Sequence, residues 1–503
     1  MSSPTSAAIA CPEVVDALLE AVRAWSDEHV DSRQIDRRHE IGAGLLADLA
    51  EFGLFGASIP EEYGGAGLTM GEVCEIVSGL ARIDRSIATT VGLHLGLGTR
   101  GVIAFGSDEQ KARLLPKLAT GEWIAAFAAT EAGAGSDLSA IRTNGFLDGD
   151  ELVLNGEKVF VTNGGLANVF TLLIATPGLG GARRGHSLVW VHADDPGITL
   201  GVEEDKLGLR GSSTRSLYLD EVRVGQDRIL GDPGHGMHHA HHILAWGRTA
   251  MAAGCVGAAA EALERTLSHV RERRQFGHPL RELAVVREQL ADMSARLYAM
   301  AALVRDTASN DDNHEALAVH STATKVFCSD GDWQITDSAV QLHGGSGFIE
   351  ETGLPLLLRD ARVTRIFEGA NDVLRTHAGG IETMGPPPRP ALADGLPQNS
   401  LAVGADQIAA SVAAYRDDLL AAHGARLFRE KRLLHRLGSA SILRHATDAA
   451  TKRALDEGDA GANAHAEHWQ ALACRELDAL RQEPPNRTCI DTVLYSLFQG
   501  VHL

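Results

Sequence analysis

Cysteine is scarce and scattered. Cys11, Cys74, Cys255, Cys328, Cys474 and Cys489 form no CxxC pair, which excludes a zinc ribbon and a thioredoxin-like redox motif. Isolated thiols in a long acidic chain fit a reducing compartment. Basic residues are also in deficit. The 46 Lys and Arg face 66 Asp and Glu, and the resulting charge of −20 repels nucleic acid phosphate. No run approaches the ~18 uninterrupted apolar residues of a membrane-spanning helix. The N-terminus, MSSPTSAAIACPEVVDALLEAV, has no basic stretch leading into an apolar core. It predicts neither secretion nor organelle import, and hence a cytoplasmic location. Only 16 prolines interrupt the chain, so long helices are permitted. No Walker loop, nucleophile elbow or HExxH pattern is present.

What is present divides into regions. A chain of 503 residues suggests about three domains, and 44% apolar with 22% charged residues suits a soluble fold with a sizeable core. Over 12–123, EVVDALLEAVRAW, GLLADLAEFGLFG and GEVCEIVSGLARI repeat at three and four residues and predict helices. Over 124–235 the texture alternates. ELVLNGEKVFVTNG reads as a hairpin turning at Asn155–Gly156, and VFTLLIAT, HSLVWVHA, GITLGVEE and SLYLDEVRV as short strands. Together they predict a β sandwich or barrel. Long amphipathic stretches over 236–384 point to a helical bundle. Residues 385–400, GPPPRPALADGLPQNS, read as a Pro-rich linker, and helical texture returns over 401–503. The fold class is therefore mostly α with a central β domain.

Several motifs carry chemistry, each beside a plainer reading. GLGGARRG (178–185) follows a strand as a dinucleotide loop does, but HSLVWV comes next where that fold needs a helix, so a surface hairpin loop fits better. FAATEAGAGSDLSAIRT (127–143) gathers small residues around Thr130 and Ser136. It offers free backbone N–H groups and hydroxyls to an anion such as a pyrophosphate, or simply makes a turn. His238 and His242 stand at helical spacing, but no acidic or Cys ligand is close in sequence, so no metal site is assigned. QLHGGSGFIEE (341–351) sets a Gly pair after a helix, where backbone can approach a ligand. RDARVTRIFEGANDVLR (359–375) sets Glu368 between Phe367 and Gly369 in a basic stretch, as a general base or a salt-bridged surface residue.

Taken together, TEAGAGSD, KVFVTNGG, KLGLRGSSTRS, RRQFG, QLHGGSGF and RDARVTRIFEGAND occur in an order and spacing that resemble the acyl-CoA dehydrogenase family, over about residues 15–385. HILAWGR, IFEGAND and the segment after Pro390 resemble its very-long-chain branch, which carries a helical extension. The resemblance implies a helical N-terminal domain, a central β domain and a C-terminal four-helix bundle. It implies FAD, with Phe127, Ala129, Thr130, Gly135 and Ser136 along the flavin and pyrophosphate, and Phe160, Val161 and Thr162 packed on the ring. Gln341, Gly344 and Gly345 would hold the diphosphate end. Arg273 and Phe276 would reach the FAD of a neighbouring subunit, making a homodimer the minimum unit. Ala370, Asn371 and Asp372 follow the base near the cofactor, with Ala370 in place of the usual Thr.

The same resemblance implies chemistry. Glu368 matches the base that removes the α-proton of an acyl thioester, while the β-hydride passes to flavin N5 and leaves a trans-2-enoyl-CoA. Arg248 matches an arginine beside the base. Relatives that keep the base one residue before that arginine have a carboxylate where this chain has Gly247. Ser136, Ala245, Arg248, Phe367 and Gly369 would contact the acyl-CoA substrate. Ala245 stands where an Asp or Asn often meets pantetheine, so an acyl carrier protein is an alternative carrier. The expected acceptor is an electron-transferring flavoprotein, with an oxygen-using acyl-CoA oxidase and a non-enzymatic scaffold as alternatives. In VGLHLGLGTRGV (91–102), Gly92, Gly96 and Gly98 either open the acyl pocket for medium to long chains or pack helices closely. Arg426, Arg429, Lys431, Arg432 and Arg436 make a basic face, either solvated or touching a partner or an anionic membrane surface.

Overall fold

The computed structural model describes residues 12–385 and 400–482. Seven helices come first: α1 (Pro12–His29), α2 (Ser32–Arg38), α3 (Ala43–Glu51), α4 (Met70–Ile83), α5 (Arg85–Leu93), α6 (Arg100–Phe105) and α7 (Asp108–Ala119). Their starts are written locally. Thr69 and Glu72 form a capping box at α4, and Ser107 and Gln110 another at α7. Buried Asp84 caps α5 by accepting from Ile87 N–H at 2.9 Å. Beyond α5 the chain widens into a π-helical turn, His94–Gly98. His94 Nδ1 there accepts from Ala125 N–H at 3.0 Å, and burial lowers that imidazole to about 4, so it stays neutral and ties the turn to the sheet.

The central region is one mixed sheet of β1 (Ala125–Ala128), β2 (Asn144–Asp148), β3 (Glu151–Thr162), β4 (Val169–Ala175), β5 (His186–His192), β6 (Ile198–Leu200), β7 (Thr214–Gly225) and β8 (Ile229–Leu230). The strand order is β6-β7-β3-β2-β4-β5-β8, with β1 parallel to β4. One expectation is corrected here. Asn155–Gly156 is not a hairpin turn but lies inside the continuous strand β3, where the pairing with β7 shifts register between Leu154 and Gly156. Gly156, at φ +140°, lets the strand pass the Thr143 backbone, and Asn155 Oδ1 takes up the Glu221 N–H at 2.9 Å. The turn sits instead between Asp148 and Glu151, at Gly149 (φ +66°). GLGGARRG does connect two antiparallel strands, β4 and β5.

The bundle follows: α8 (Gly236–Glu272), α9 (Ala284–Ala308), α10 (His314–His343), α11 (Leu354–Thr364) and α12 (Asn371–Thr383). At 37 residues, about 55 Å, α8 is the spine, and Trp246, Cys255, Ala259 and Ala262 along it are fully buried. In the histidine run, His239 packs on Phe105, and His242 lies against both Phe105 and His314. The extension adds α13 (Ser400–His423), α14 (Lys431–Glu457) and α15 (Ala460–Arg481). The Pro-rich linker at 386–399 and the last stretch of the extension, 483–503, lie outside the described residues. Helices α12 and α14 cross at Gly379 and Gly438, where a Cβ on either would overlap the other helix's backbone. Half-buried Arg436, from the expected basic face, is turned toward the end of α15. Its Nε donates to Leu480 O at 2.9 Å and its Nη2 to Gln482 O at 2.7 Å, satisfying the end of α15.

Candidate active site

Helix α11 stops at Thr364, and the chain turns through Phe367 before α12 starts at Asn371. Glu368 and Gly369 both take positive φ, +55° and +105°. Glycine adopts such a conformation freely, whereas a glutamate there is strained and must be held. Two cations from the bundle hold it. Arg248 Nε on α8 donates to Glu368 O at 2.9 Å. Lys325 Nζ on α10 donates to Gly369 O and to Asn371 Oδ1, both at 2.7 Å. Buried Asn371 completes the clamp by donating to Ser329 Oγ at 2.9 Å.

This arrangement spends the cations on backbone and leaves the carboxylate free. Glu368 Oε2 is buried without a hydrogen-bond partner. Burial raises the carboxyl to about 7, although Arg248 and Lys325 pull the other way. Burial likewise pushes the Lys325 ammonium down to about 7. Among the described residues the Glu368 N–H meets no acceptor. A Cβ at Gly247 would overlap Leu97 and stand 3.5 Å from Glu368 Oε2, so the two positions address one space.

That space opens on a narrow cavity of about 50 Å³ between α4, α5 and α8. Its wall includes Val77, Ala88, Gly92, Ala250, Met251 and Phe367. The three glycines of the π-turn region separate here. Gly92 lines the cavity. Gly96 instead faces Gly247 Cα at 3.4 Å, and Gly98 the Ala125 carbonyl at 2.7 Å, measured from where a Cβ would stand. Both are close-packing positions. Ala245 departs from its expected place: it is 1% exposed, packed in the core one turn from the cavity, and not on the wall.

The sheet supplies a second surface. Phe127 and Ala129 are buried, whereas Thr130 is half-buried and Gly135 and Ser136 are exposed in the loop after β1. Fully buried Lys158 fixes that loop, donating to Ala129 O at 3.1 Å and Glu131 Oε1 at 2.8 Å. Phe160 takes φ +56° and is 65% exposed, followed by buried Val161 and half-buried Thr162. A large apolar ring held open on a strained backbone is a surface built to be covered.

The remaining predicted residues lie elsewhere. Arg273 ends α8, and Phe276 (φ +53°, 88% exposed) tips the hairpin after it. His269 and His343 stack at 4.1 Å, which brings Gln341, Gly344 and Gly345 at the end of α10 to that same extremity. From Gly247 to His269 along α8 is about 33 Å. The candidate residues thus form two groups at opposite ends of one helix. Asp372 is exposed beside His435. Lys325 was missed from sequence because one lysine on an apolar helix face gives no motif. Arg85, Leu209 and Thr364, which also line the cavity, were missed for the same reason.

Known proteins match this organisation. The models for the acyl-CoA dehydrogenase N-terminal, middle and C-terminal domains match residues 12–122, 126–222 and 234–379. The chain is 35% identical over 365 residues to the mitochondrial very long-chain specific acyl-CoA dehydrogenase of Homo sapiens, covering 71% of this chain and 56% of that one. It thus spans little more than half the length of the curated mammalian relatives it matches. It is 36% identical over 367 residues to probable acyl-CoA dehydrogenase FadE25 of Mycobacterium tuberculosis, covering 72% of this chain and 94% of that one. A crystal structure of an acyl-CoA dehydrogenase complexed with FAD from Bacillus anthracis superposes with a TM-score of 0.84 at 28% identity, covering 97% of this chain and 91% of that one. With the three domains in order and a buried carboxylate at the mouth of an apolar cavity, the chain belongs to the acyl-CoA dehydrogenase family.

Proposed function

We propose that the protein is an FAD-dependent oxidoreductase that converts a medium- to long-chain acyl-CoA into the trans-2-enoyl-CoA. The observation that carries this reading is the buried, unpartnered Oε2 of Glu368 facing a largely apolar cavity. The residues present fit the cofactor: exposed Phe160 offers an apolar ring to a flat ring system, and the exposed Gly135 and Ser136 of the loop after β1 offer backbone N–H and hydroxyl groups to a diphosphate. When bound, FAD supplies the acceptor for the hydride leaving the β-carbon.

The chain's own residues do the rest. Glu368 Oε2, spared from any ion-pair geometry, takes the α-proton, and a carboxyl near 7 is matched to that task at neutral pH. The unspent Glu368 N–H is available to the thioester oxygen as enolate charge develops. Arg248 and Lys325 hold the turn so that both groups keep their aim. The apolar wall excludes water from the reacting carbons.

A homodimer belongs to the same reading. One chain offers its near group to one cofactor and its far group, Arg273 and Gln341–Gly345, to another, and exposed Phe276 and Phe348 give a second subunit an apolar surface to cover. An electron-transferring flavoprotein as acceptor and a cytoplasmic setting complete the proposal. Anaerobic bleaching of the bound flavin by a series of acyl-CoAs from medium to long chain tests it. Bleaching that saturates with thioester is expected. A flavin that no acyl-CoA bleaches overturns the reading, and rapid reoxidation in air replaces it with an oxidase.

A further inference from the structure

The cavity under Glu368 has two chemically different ends. Around the carboxylate and along the middle the wall is apolar. The far end is not. Arg85, at the start of α5 and 5% exposed, lines it. Arg85 Nη1 donates to fully buried Asp332 Oδ2 at 2.6 Å, while Nη2 reaches Cys255 Sγ at 3.8 Å. Sulfur is a weak acceptor, so a guanidinium N–H is left poorly satisfied at the cavity wall. Thr364 lies beside Cys255, which places it at this same end. The Thr364 hydroxyl donates to Ala361 O at 2.7 Å and keeps its lone pairs for another donor.

The depth follows from helix register. Leu97 stands against Gly247 and Arg85 against Cys255, so α5 and α8 flank the cavity antiparallel. Gly247 to Cys255 is about 12 Å along α8. At about 1.3 Å per methylene, from a C–C bond of ~1.5 Å, that is some nine carbons beyond the base. On its other side Arg85 borders an open cleft of about 830 Å³ shared with Asp84 and Asp360, so its side chain stands between the cavity and that cleft. A plain hydrocarbon tail ending there would leave the guanidinium N–H desolvated and unpaired.

We propose that this end recognises an oxygen function on the distal end of the substrate, and that the preferred class is acyl thioesters of about ten carbons bearing a terminal hydroxyl. The inference rests on the dehydrogenation reading and specifies its substrate. Charge selects the neutral group. Asp332 already balances Arg85, and buried Asp360 lies close enough to interact with it. A carboxylate would add an anion to that buried set, whereas a hydroxyl accepts from Arg85 Nη2 and donates to Thr364 Oγ1 without adding charge.

The test is anaerobic stopped-flow reduction of the holoenzyme's flavin by decanoyl-CoA, 10-hydroxydecanoyl-CoA and the monothioester of decanedioic acid. The hydroxy substrate is expected to exceed decanoyl-CoA in kcat/KM by about 10- to 100-fold, as for a site built to hydrogen-bond a hydroxyl. Two variants should shrink that ratio at least about fivefold: Thr364→Val, which keeps the shape, and the pair Arg85→Met with Asp332→Leu, which leaves no lone buried charge. Flavin content and melting temperature report whether each variant is folded, and Thr364→Val decides if the double variant is not. A parent that uses decanoyl-CoA equally well or better overturns the inference, as does a preference that survives the folded variants. A preferred diacid overturns the choice of a neutral group. If decanoyl-CoA bleaches the flavin and the hydroxy substrate does not, only this inference falls. If no thioester bleaches it, the dehydrogenation reading falls first.

Discussion

Helix α8 carries candidate machinery at both ends, and the two ends are finished differently. Near Gly247 and Arg248 the cations Arg248 and Lys325 have partners within the chain, a cavity is formed, and one carboxylate oxygen is left unpaired. Near Arg273 the opposite holds. Phe276 and Phe348 stand open, and Gln341 and the Gly344–Gly345 turn face outward. In the proposed reading the near end is the reaction site and the far end half of a binding surface. The lesson is that about 33 Å of helix separates two groups of residues finished for different tasks.

The most severe way to break the near end is Glu368→Gln. Flavin reduction by saturating acyl-CoA should fall by ~10²- to 10⁴-fold, while flavin content stays unchanged, read by anaerobic stopped flow and absorbance. A fall of only a few fold would remove Glu368 as the base. Breaking the far end with Arg273→Ala should weaken FAD retention by about 10- to 100-fold, as for a lost charge-assisted hydrogen bond, with reduction per bound flavin nearly intact. The two variants together sharpen the comparison. If each site draws on two subunits, a dimer of one Glu368→Gln and one Arg273→Ala chain contains one unaltered site. Random equal mixing after dissociation should restore activity at about a quarter of all sites, and no recovery would confine each site to one chain.

A subtler test uses pH. Because burial lifts the Glu368 carboxyl to about 7, the ionised base accumulates only as pH rises through that value. The reduction rate should climb about tenfold per pH unit below 7 and level above it. Stability runs the other way. A carboxyl raised in the folded state contributes stability fully below its ordinary value near 4.5 and loses it as pH rises through about 7. Glu368→Gln should therefore raise the melting temperature relative to the parent more at pH 8 than at pH 5.

Much of this was legible in the sequence. Helical periods marked both helical regions, and alternation marked the sheet, because burial of one face writes its period directly. The base and its flanking glycine were legible for a local reason: only a short stretch sets that turn. What failed depended on neighbours far along the chain. Asn155–Gly156 has the composition of a hairpin turn, yet the passing Thr143 backbone makes it a bulge. Gly92, Gly96 and Gly98 look alike in sequence, and only what stands opposite each one distinguishes cavity from packing. Lys325 and Arg85 left no motif, because a buried cation takes its role from carbonyls and carboxylates dozens of residues away.

The left-handed turn at Glu368 has a consequence for how such a chain drifts. The residue occupies a backbone conformation that costs a non-glycine side chain about 1–3 kcal/mol, and it buries a carboxyl with no partner. Glu368→Gly relieves both, and a folded variant with a higher melting temperature and no flavin reduction is the expected outcome. Selection for fold alone would then discard this glutamate early, so a lineage released from its reaction should lose position 368 before it loses the clamp of Arg248 and Lys325 around it.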